Sequence, residues 1–94
     1  MKATILVHKN MFQILPYSKI VLKKIKAFGL EKKFKKQMAL FSQDSRHPSL
    51  HTELLLPKKY GIYSLRVDQK YRALFIFRKD KNAVEILNIT SHYQ

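Results

Sequence analysis

Three histidines and four basic side chains of this 94-residue chain have the chemistry needed to cleave a phosphodiester. RNA is cleaved when its 2′-hydroxyl loses a proton, the charge on the phosphorane is stabilised, and the departing 5′-oxygen gains a proton. Histidine has an ordinary pKa that suits both proton transfers near neutral pH. An oriented cation stabilises the phosphorane. The candidate acids and bases are His47, His51 and His92, and the candidate phosphate ligands are Arg66, Arg72, Lys58 and Lys59. His47 and His51 are also candidates for binding the RNA or its phosphates.

The acidic residues do not indicate a metal-dependent nuclease. Two-metal nucleases need several carboxylates that converge on one point. The six acids of this chain are scattered singly along it, and cysteine is absent. We therefore expect no metal and no other cofactor. The acids are Glu31, Asp44, Glu53, Asp68, Asp80 and Glu85.

The charge balance predicts a polyanionic partner. Nineteen Lys and Arg residues against six Asp and Glu residues give a net charge of +13. Such a field favours nucleic acid, an anionic membrane surface or an acidic protein, although a merely lysine-rich surface is the simpler alternative. Apolar runs of five residues or fewer exclude a membrane span, and we identify no signal peptide. The absence of cysteine fits a cytoplasmic protein.

Residues 19–41 predict two antiparallel amphipathic helices. Apolar residues recur there at helical spacing, with Gly29 between two series and Ser18 as the expected cap of the first helix. Eight lysines lie in the same segment, mostly away from the apolar stripe. The apolar series are Val21, Ile25 and Phe28, followed by Leu30, Phe34, Met38 and Phe41.

The remaining periodicity predicts strands at residues 63–67, 71–77 and 84–90. A further strand precedes the helices, either "ATILV" at residues 3–7 or "MFQIL" at residues 11–15. We therefore predict a single α+β domain over residues 1–94, with both helices on one face of a four-stranded antiparallel sheet. The other face would stay bare, and a ligand would bind there.

Two arginines lie in the hairpin of residues 63–77. A three-residue loop at residues 68–70 would place Arg66 directly opposite Arg72, a like-charge pair that needs an anion or a carboxylate to neutralise it. A two-residue loop would instead place Arg66 opposite Tyr71. The sequence leaves both registers open. We expect Arg72 to point out of the bare face, beside His92.

The segments "RHPSLHTELL", "GIYSLRVDQKYRALF" and the terminal "SHYQ" resemble the RelE/ParE superfamily of type II toxins, in this order and spacing. The resemblance covers the chain from about Met11 onwards, so that residues 1–10 would form an extension or an added edge strand. It implies a RelE-like, microbial-RNase-like fold and an acidic cognate antitoxin. In the RelE branch it also implies metal-free cleavage of mRNA on the ribosome.

The resemblance also implies roles for individual residues. Arg72 is similar to the arginine that contacts the scissile phosphate in the RelE branch, and Arg66 to a strand arginine that lines the same concave face. His92 and Tyr93 resemble a terminal His-Tyr pair that transfers protons in YoeB-like members. Those members carry a glutamate in the segment that corresponds to "RHPSL", where this chain has His47 and Ser49. Glu53 is several residues away and does not simply replace it, so the general base stays open.

Three functions follow from the resemblance. The first is a ribosome-dependent endoribonuclease that cleaves translated mRNA, and the terminal "SHY" favours it. The second is a ParE-like inhibitor of DNA gyrase that cuts nothing itself. The third is an inactive module that only binds the antitoxin. Neither codon preference nor toxin:antitoxin stoichiometry follows from the sequence.

Overall fold

The computed structural model describes residues 12–91, which form two α-helices and five β-strands. Short 3₁₀ turns cover Pro48–Leu50, Lys58–Tyr60 and Lys79–Lys81. In chain order the elements are β1 (Gln13–Ile14), α1 (Lys19–Ala27), α2 (Glu31–Gln43), β2 (Glu53–Leu54), β3 (Tyr63–Arg66), β4 (Arg72–Arg78) and β5 (Ala83–Thr90).

Local hydrogen bonds define both ends of α1. Ser18 caps its start as predicted, because its hydroxyl accepts a hydrogen bond of 3.2 Å from the Val21 amide. At the other end Gly29 has a φ of +65°, its amide donates to the Lys26 carbonyl, and the Leu30 amide donates to the Ile25 carbonyl. This pattern is a Schellman motif, which ends a helix through a residue in the left-handed conformation. Gly29 therefore separates α1 from α2, as the sequence predicted.

Replacing Gly29 by alanine tests this turn. We expect Gly29→Ala to lower the free energy of unfolding by about 1 kcal/mol, because a Cβ is disfavoured at positive φ. The space around the glycine is open, so backbone strain is the only cost. Urea denaturation measures the change. Gly29→Asn is the matched control, and it should lose less because asparagine tolerates this conformation. An alanine variant as stable as the parent would contradict the prediction.

The strands form one mixed sheet in the order β1-β5-β4-β3-β2. β1 pairs with β5 in parallel, and the other neighbours are antiparallel. The register of β4 against β5 shifts between Leu74 and Phe75, which leaves Leu87 as an extra residue on β5.

The prediction of a four-stranded antiparallel sheet was wrong in strand number and in direction. Residues 53–54, which were assigned to a loop, form β2 on β3, and the Leu55 amide donates to the Ile62 carbonyl next to it. A two-residue strand is too short to show an alternating pattern. The direction of β1 relative to β5 depends on the path of the chain between them, beginning with α1, and local periodicity does not reveal that path. Of the two candidate first strands, "MFQIL" contains β1. "ATILV" and the predicted extension at residues 1–10 lie outside the described residues.

The apolar core lies between the helices and one face of the sheet. Strand residues Leu65, Ala73 and Phe75 are fully buried there, together with the apolar faces of both helices. Because side chains alternate along a strand, Ser64, Arg66 and Arg72 belong to the opposite face. Within residues 12–91, neither helix has the length and the apolar character needed to cross a membrane.

Candidate functional site

The turn between β3 and β4 has the three-residue form. The Val67 and Asp68 amides both donate to the Tyr71 carbonyl, at 2.9 and 3.2 Å. The Asp68 carboxylate accepts from the amides of Lys70 and Tyr71, at 2.8 and 2.7 Å. The strand register therefore places Arg66 directly opposite Arg72, which is the first of the two predicted alternatives.

The Asp68 carboxylate also connects this turn to helix α2 through a 3.3 Å ion pair with Lys33. Burial by itself raises the pKa of Asp68. The amides of Tyr71 and Lys70 and the Lys33 ammonium outweigh it, so that the pKa lies below its ordinary value. The ionised carboxylate therefore stabilises the turn.

The charge of Asp68 should make stability depend on pH. A lowered pKa in the folded state means that the stabilisation is complete above the unfolded pKa of about 3.9, and is lost as the pH falls through the folded pKa. Asp68→Asn keeps an acceptor for both amides but has no charge. We expect the difference in unfolding free energy between parent and variant to be constant above about pH 5 and to shrink below it. Urea denaturation over a pH series measures this. A difference independent of pH would show that the charge does not contribute.

Arg72 lies on the predicted face of the sheet but is buried, with 7% of its surface exposed. Its Nε donates to the Ser64 hydroxyl at 2.9 Å, and a terminal guanidinium nitrogen donates to the His51 carbonyl. The expectation of a guanidinium pointing out of a bare face was therefore wrong. A buried guanidinium needs acceptors, and the segment before β2 supplies one through the His51 carbonyl.

The two arginines line one cavity of about 250 Å³, which we call the arginine cavity. Arg66 is half-buried there and more accessible than Arg72. The carboxylates of Glu53 and Asp68 also line the cavity, and that of Asp68 accepts hydrogen bonds from the amides of the turn. The described lining residues are Glu53, Arg66, Asp68, Gln69, Lys70, Arg72 and Ser91.

Glu53 is the residue of this cavity that sequence reasoning set aside. Its Cα pairs with that of Ser64, whose hydroxyl accepts the hydrogen bond from Arg72. The pairing of β2 with β3 thus brings a carboxylate to the cavity from 13 residues before Arg66 in the chain. The position of Glu53 in the cavity could have been predicted only by recognising residues 53–54 as a strand paired with β3.

Two of the three predicted histidines line a neighbouring cavity. His47 and His51 line a depression of about 310 Å³, which we call the histidine cavity, with Ser45, Arg46, Pro48 and Thr52. His47 Nδ1 accepts from the Ser49 amide at 3.2 Å and thereby caps the 3₁₀ turn. His51 has a positive φ of 45° and gives its carbonyl to Arg72. The imidazoles therefore lie beside the arginine cavity and do not line it.

The other predicted site residues are not brought to the arginine cavity by the described part of the chain. Lys58 and Lys59 are exposed in a 3₁₀ turn after Pro57 and are not among its lining residues. His92 and Tyr93 lie outside the described residues, so their roles stay predictions. Ser91, which precedes His92 in the sequence, lines the cavity.

Gln37 is a buried polar residue that the sequence analysis did not single out. Its side-chain amide donates to the Arg66 carbonyl at 2.7 Å and to the Ser49 carbonyl at 3.3 Å. It thereby joins helix α2, the 3₁₀ turn and the end of β3. A glutamine at a core position of an amphipathic helix is the signal that could have identified it.

No protein-family model and no curated protein sequence matches the chain. Solved structures do match. The YoeB dimer from Staphylococcus aureus is 20% identical with a TM-score of 0.61, and the alignment covers 86% of this chain and 98% of that one. The heterotetrameric YoeB-YefM toxin-antitoxin complex from the same organism matches at 20% identity and a TM-score of 0.58, with the same coverage. These similarities confirm the RelE-like fold that the resemblance implied.

Proposed function

We propose that this chain, as a single domain over residues 1–94, is the toxin of a type II toxin–antitoxin pair. Its activity would be the cleavage of translated mRNA in the ribosomal A site. The fold similarity to YoeB toxin and to its antitoxin complex supports the first part. The arginine cavity supports the second, and it is the observation that carries the proposal. The ribosome and the cleavage step are what the resemblance to the RelE branch implies, and the cationic residues of this cavity and the charge of the chain support them.

The two arginines would divide the work on the phosphate. Arg66 is accessible and would contact the incoming phosphate through its planar fork. Arg72 is held in place by hydrogen bonds to Ser64 and His51, with 7% of its surface exposed. A cation oriented in advance in such a site stabilises developing negative charge strongly, because no reorganisation is needed during the reaction. Together they would stabilise the phosphorane.

The proton transfers would use groups around these cations. Glu53, whose carboxylate lines the cavity, would accept the 2′-hydroxyl proton. His92 and Tyr93 would donate the proton to the leaving 5′-oxygen, as the resemblance implies. The bond from the 2′-oxygen to phosphorus forms while the bond to the 5′-oxygen breaks. The products are a 2′,3′-cyclic phosphate and a free 5′-hydroxyl.

Lysine substitution of Arg72 tests this chemistry. We expect Arg72→Lys to slow cleavage about 10²–10³-fold, because the charge remains but the fixed fork is lost. Primer extension on a message translated by purified ribosomes measures the rate. Arg78→Lys is the matched control, since Arg78 lies on the same strand but pairs with Glu85 and Asp80 outside the cavity. It should cleave like the parent.

Two outcomes would contradict the proposal. One is an Arg72→Lys variant that cleaves as fast as the parent, which would refute the role of Arg72 but not the cleavage itself. The other is a parent chain that leaves translated messages intact and induces a DNA-damage response, which would indicate gyrase as the target. Glu53→Gln tests the proposed base separately. Glutamine cannot accept the 2′-hydroxyl proton, so the variant should cleave more slowly and the pH dependence of its cleavage rate should change.

The helices provide a cationic surface that would dock on ribosomal RNA. Their eight lysines include seven with exposed side chains, and Glu31 is the one acidic residue of α1 and α2. Contacts between lysines and phosphates release counterions, so that binding weakens steeply with salt. The lysines are Lys19, Lys23, Lys24, Lys26, Lys32, Lys33, Lys35 and Lys36.

Removing part of this surface should change the salt dependence of ribosome binding. We expect the triple change of Lys32, Lys35 and Lys36 to glutamine to weaken binding and to reduce the slope of log K against log salt by about 0.7–0.9 for each phosphate that the variant no longer neutralises. Sedimentation with ribosomes at several salt concentrations measures the slope. Glutamines at Lys79 and Lys81, in the distant β4–β5 turn, are the control. Equal slopes in the triple variant and the parent would exclude the helices as the docking surface.

A further inference from the structure

A third depression lies on the helix face of the sheet, near the end of α2. It has a volume of about 290 Å³, and we call it the aromatic cavity. Four of its seven described lining residues are aromatic, and Phe77 keeps 43% of its surface exposed although it lies within a strand. Its described lining residues are Phe41, Ser45, Arg46, Thr52, Tyr63, Phe75 and Phe77. None of the catalytic roles proposed above uses it.

The rings of this cavity mostly meet edge to face. Phe77 meets Tyr63 at 83° and Phe75 at 81°, with ring centroids 5.4 and 5.6 Å apart. Phe41 meets Phe75 at 64° and 5.0 Å. A nucleobase is normally bound on flat, parallel aromatic faces. Tyr63 and Phe75 do stack on each other at 18°, but Phe75 is fully buried and Phe77 stands across both rings. The rings therefore form a corner, which suits a compact apolar side chain better.

The apolar surface continues from this cavity across the edge of the sheet. Leu54 on β2 pairs in register with Tyr63, which in turn pairs with Phe75. Leu54 is 37% exposed, and Leu56 just beyond it is 81% exposed. An apolar strip of this kind on a highly charged chain is typical of a protein-binding surface.

The charge of the surroundings selects the partner. Arg46 is the charged residue among those that line the aromatic cavity, and the adjoining histidine cavity shares Ser45, Arg46 and Thr52 with it. Of the described residues that line these two cavities, none is Asp or Glu. The whole chain carries +13. An occupant with carboxylates beside its apolar side chain is therefore the complementary one.

We propose that the aromatic cavity is a docking site for one large apolar side chain of an acidic peptide segment, whose neighbouring carboxylates pair with Arg46. This identification of the partner surface rests on the proposed function, since an acidic antitoxin would supply such a segment. The occupant also contacts the segment that carries His51, whose carbonyl holds Arg72. A peptide docked in the aromatic cavity would therefore contact the segment that holds Arg72, and it would leave the arginine cavity open.

A synthetic peptide serves as the probe, with one phenylalanine flanked on each side by two glutamates. Titration into the ¹⁵N-labelled chain should shift the amide resonances of Thr52, Tyr63 and Phe77, and calorimetry gives the affinity. We expect Phe77→Ser to weaken binding at least tenfold. Ile20→Ser is the matched control, since Ile20 is equally apolar and 56% exposed on α1, and it should leave the affinity unchanged.

A second variant keeps the test decisive where Phe77→Ser does not fold. Arg46 is exposed, so Arg46→Glu should retain the fold, abolish binding of the acidic peptide and favour a peptide with lysines in place of the glutamates. A probe with alanine in place of phenylalanine should bind at least tenfold more weakly than the original. If Arg46→Glu binds the acidic peptide like the parent chain, the proposal fails.

Other occupants would be recognised in the same experiments and would overturn the proposal. Resonance shifts of the cavity amides with a single-stranded RNA oligomer, and none with the peptide, would assign the cavity to RNA. A dimer of the parent chain that dissociates on Phe77→Ser in analytical ultracentrifugation would assign it to a second copy. Peptide binding is measured without ribosomes, so a chain that binds the peptide at Phe77 but cuts no message refutes only the nuclease.

Discussion

The turn after β3 determines how the two arginines of the sheet are arranged. The Asp68 carboxylate accepts hydrogen bonds from two backbone amides and forms an ion pair with Lys33. These interactions stabilise the three-residue form of the turn. A turn one residue shorter would place Arg66 opposite Tyr71 and separate the guanidinium groups. The arginine cavity and the chemistry proposed for it depend on this register.

Placing Arg66 opposite Arg72 costs electrostatic energy, and burying Arg72 costs more. The structure offsets this cost with acceptors from two elements, the Ser64 hydroxyl on β3 and the His51 carbonyl in the segment before β2. Gln37 holds the same region from the helix side through the Arg66 and Ser49 carbonyls. Among residues 12–91, no buried side-chain nitrogen or oxygen lacks a partner. Hydrogen bonds from several elements thus hold Arg72 and the backbone next to it, as the preorganised site that we propose would require.

The segment of residues 45–53 connects the histidine, aromatic and arginine cavities. Arg46 and Thr52 line both the histidine and the aromatic cavities, His51 holds Arg72, and Glu53 lines the arginine cavity. The lysines of the two helices lie apart from this segment in sequence. The short chain thus has separate surfaces for the ribosomal RNA, the reacting phosphate and the acidic protein that we propose as its partners.

The sequence by itself determined the two helices, the Ser18 cap, the Gly29 turn and the β3–β4–β5 order, because these depend on local periodicity and on residues with special backbone geometry. It also identified both arginines. Only the tertiary structure decided the parallel pairing of β1, the existence of β2, the burial of Arg72 and the arrival of Glu53 beside it. Each of these depends on hydrogen bonds between segments far apart in the chain, and such pairing leaves no periodic pattern in either segment alone.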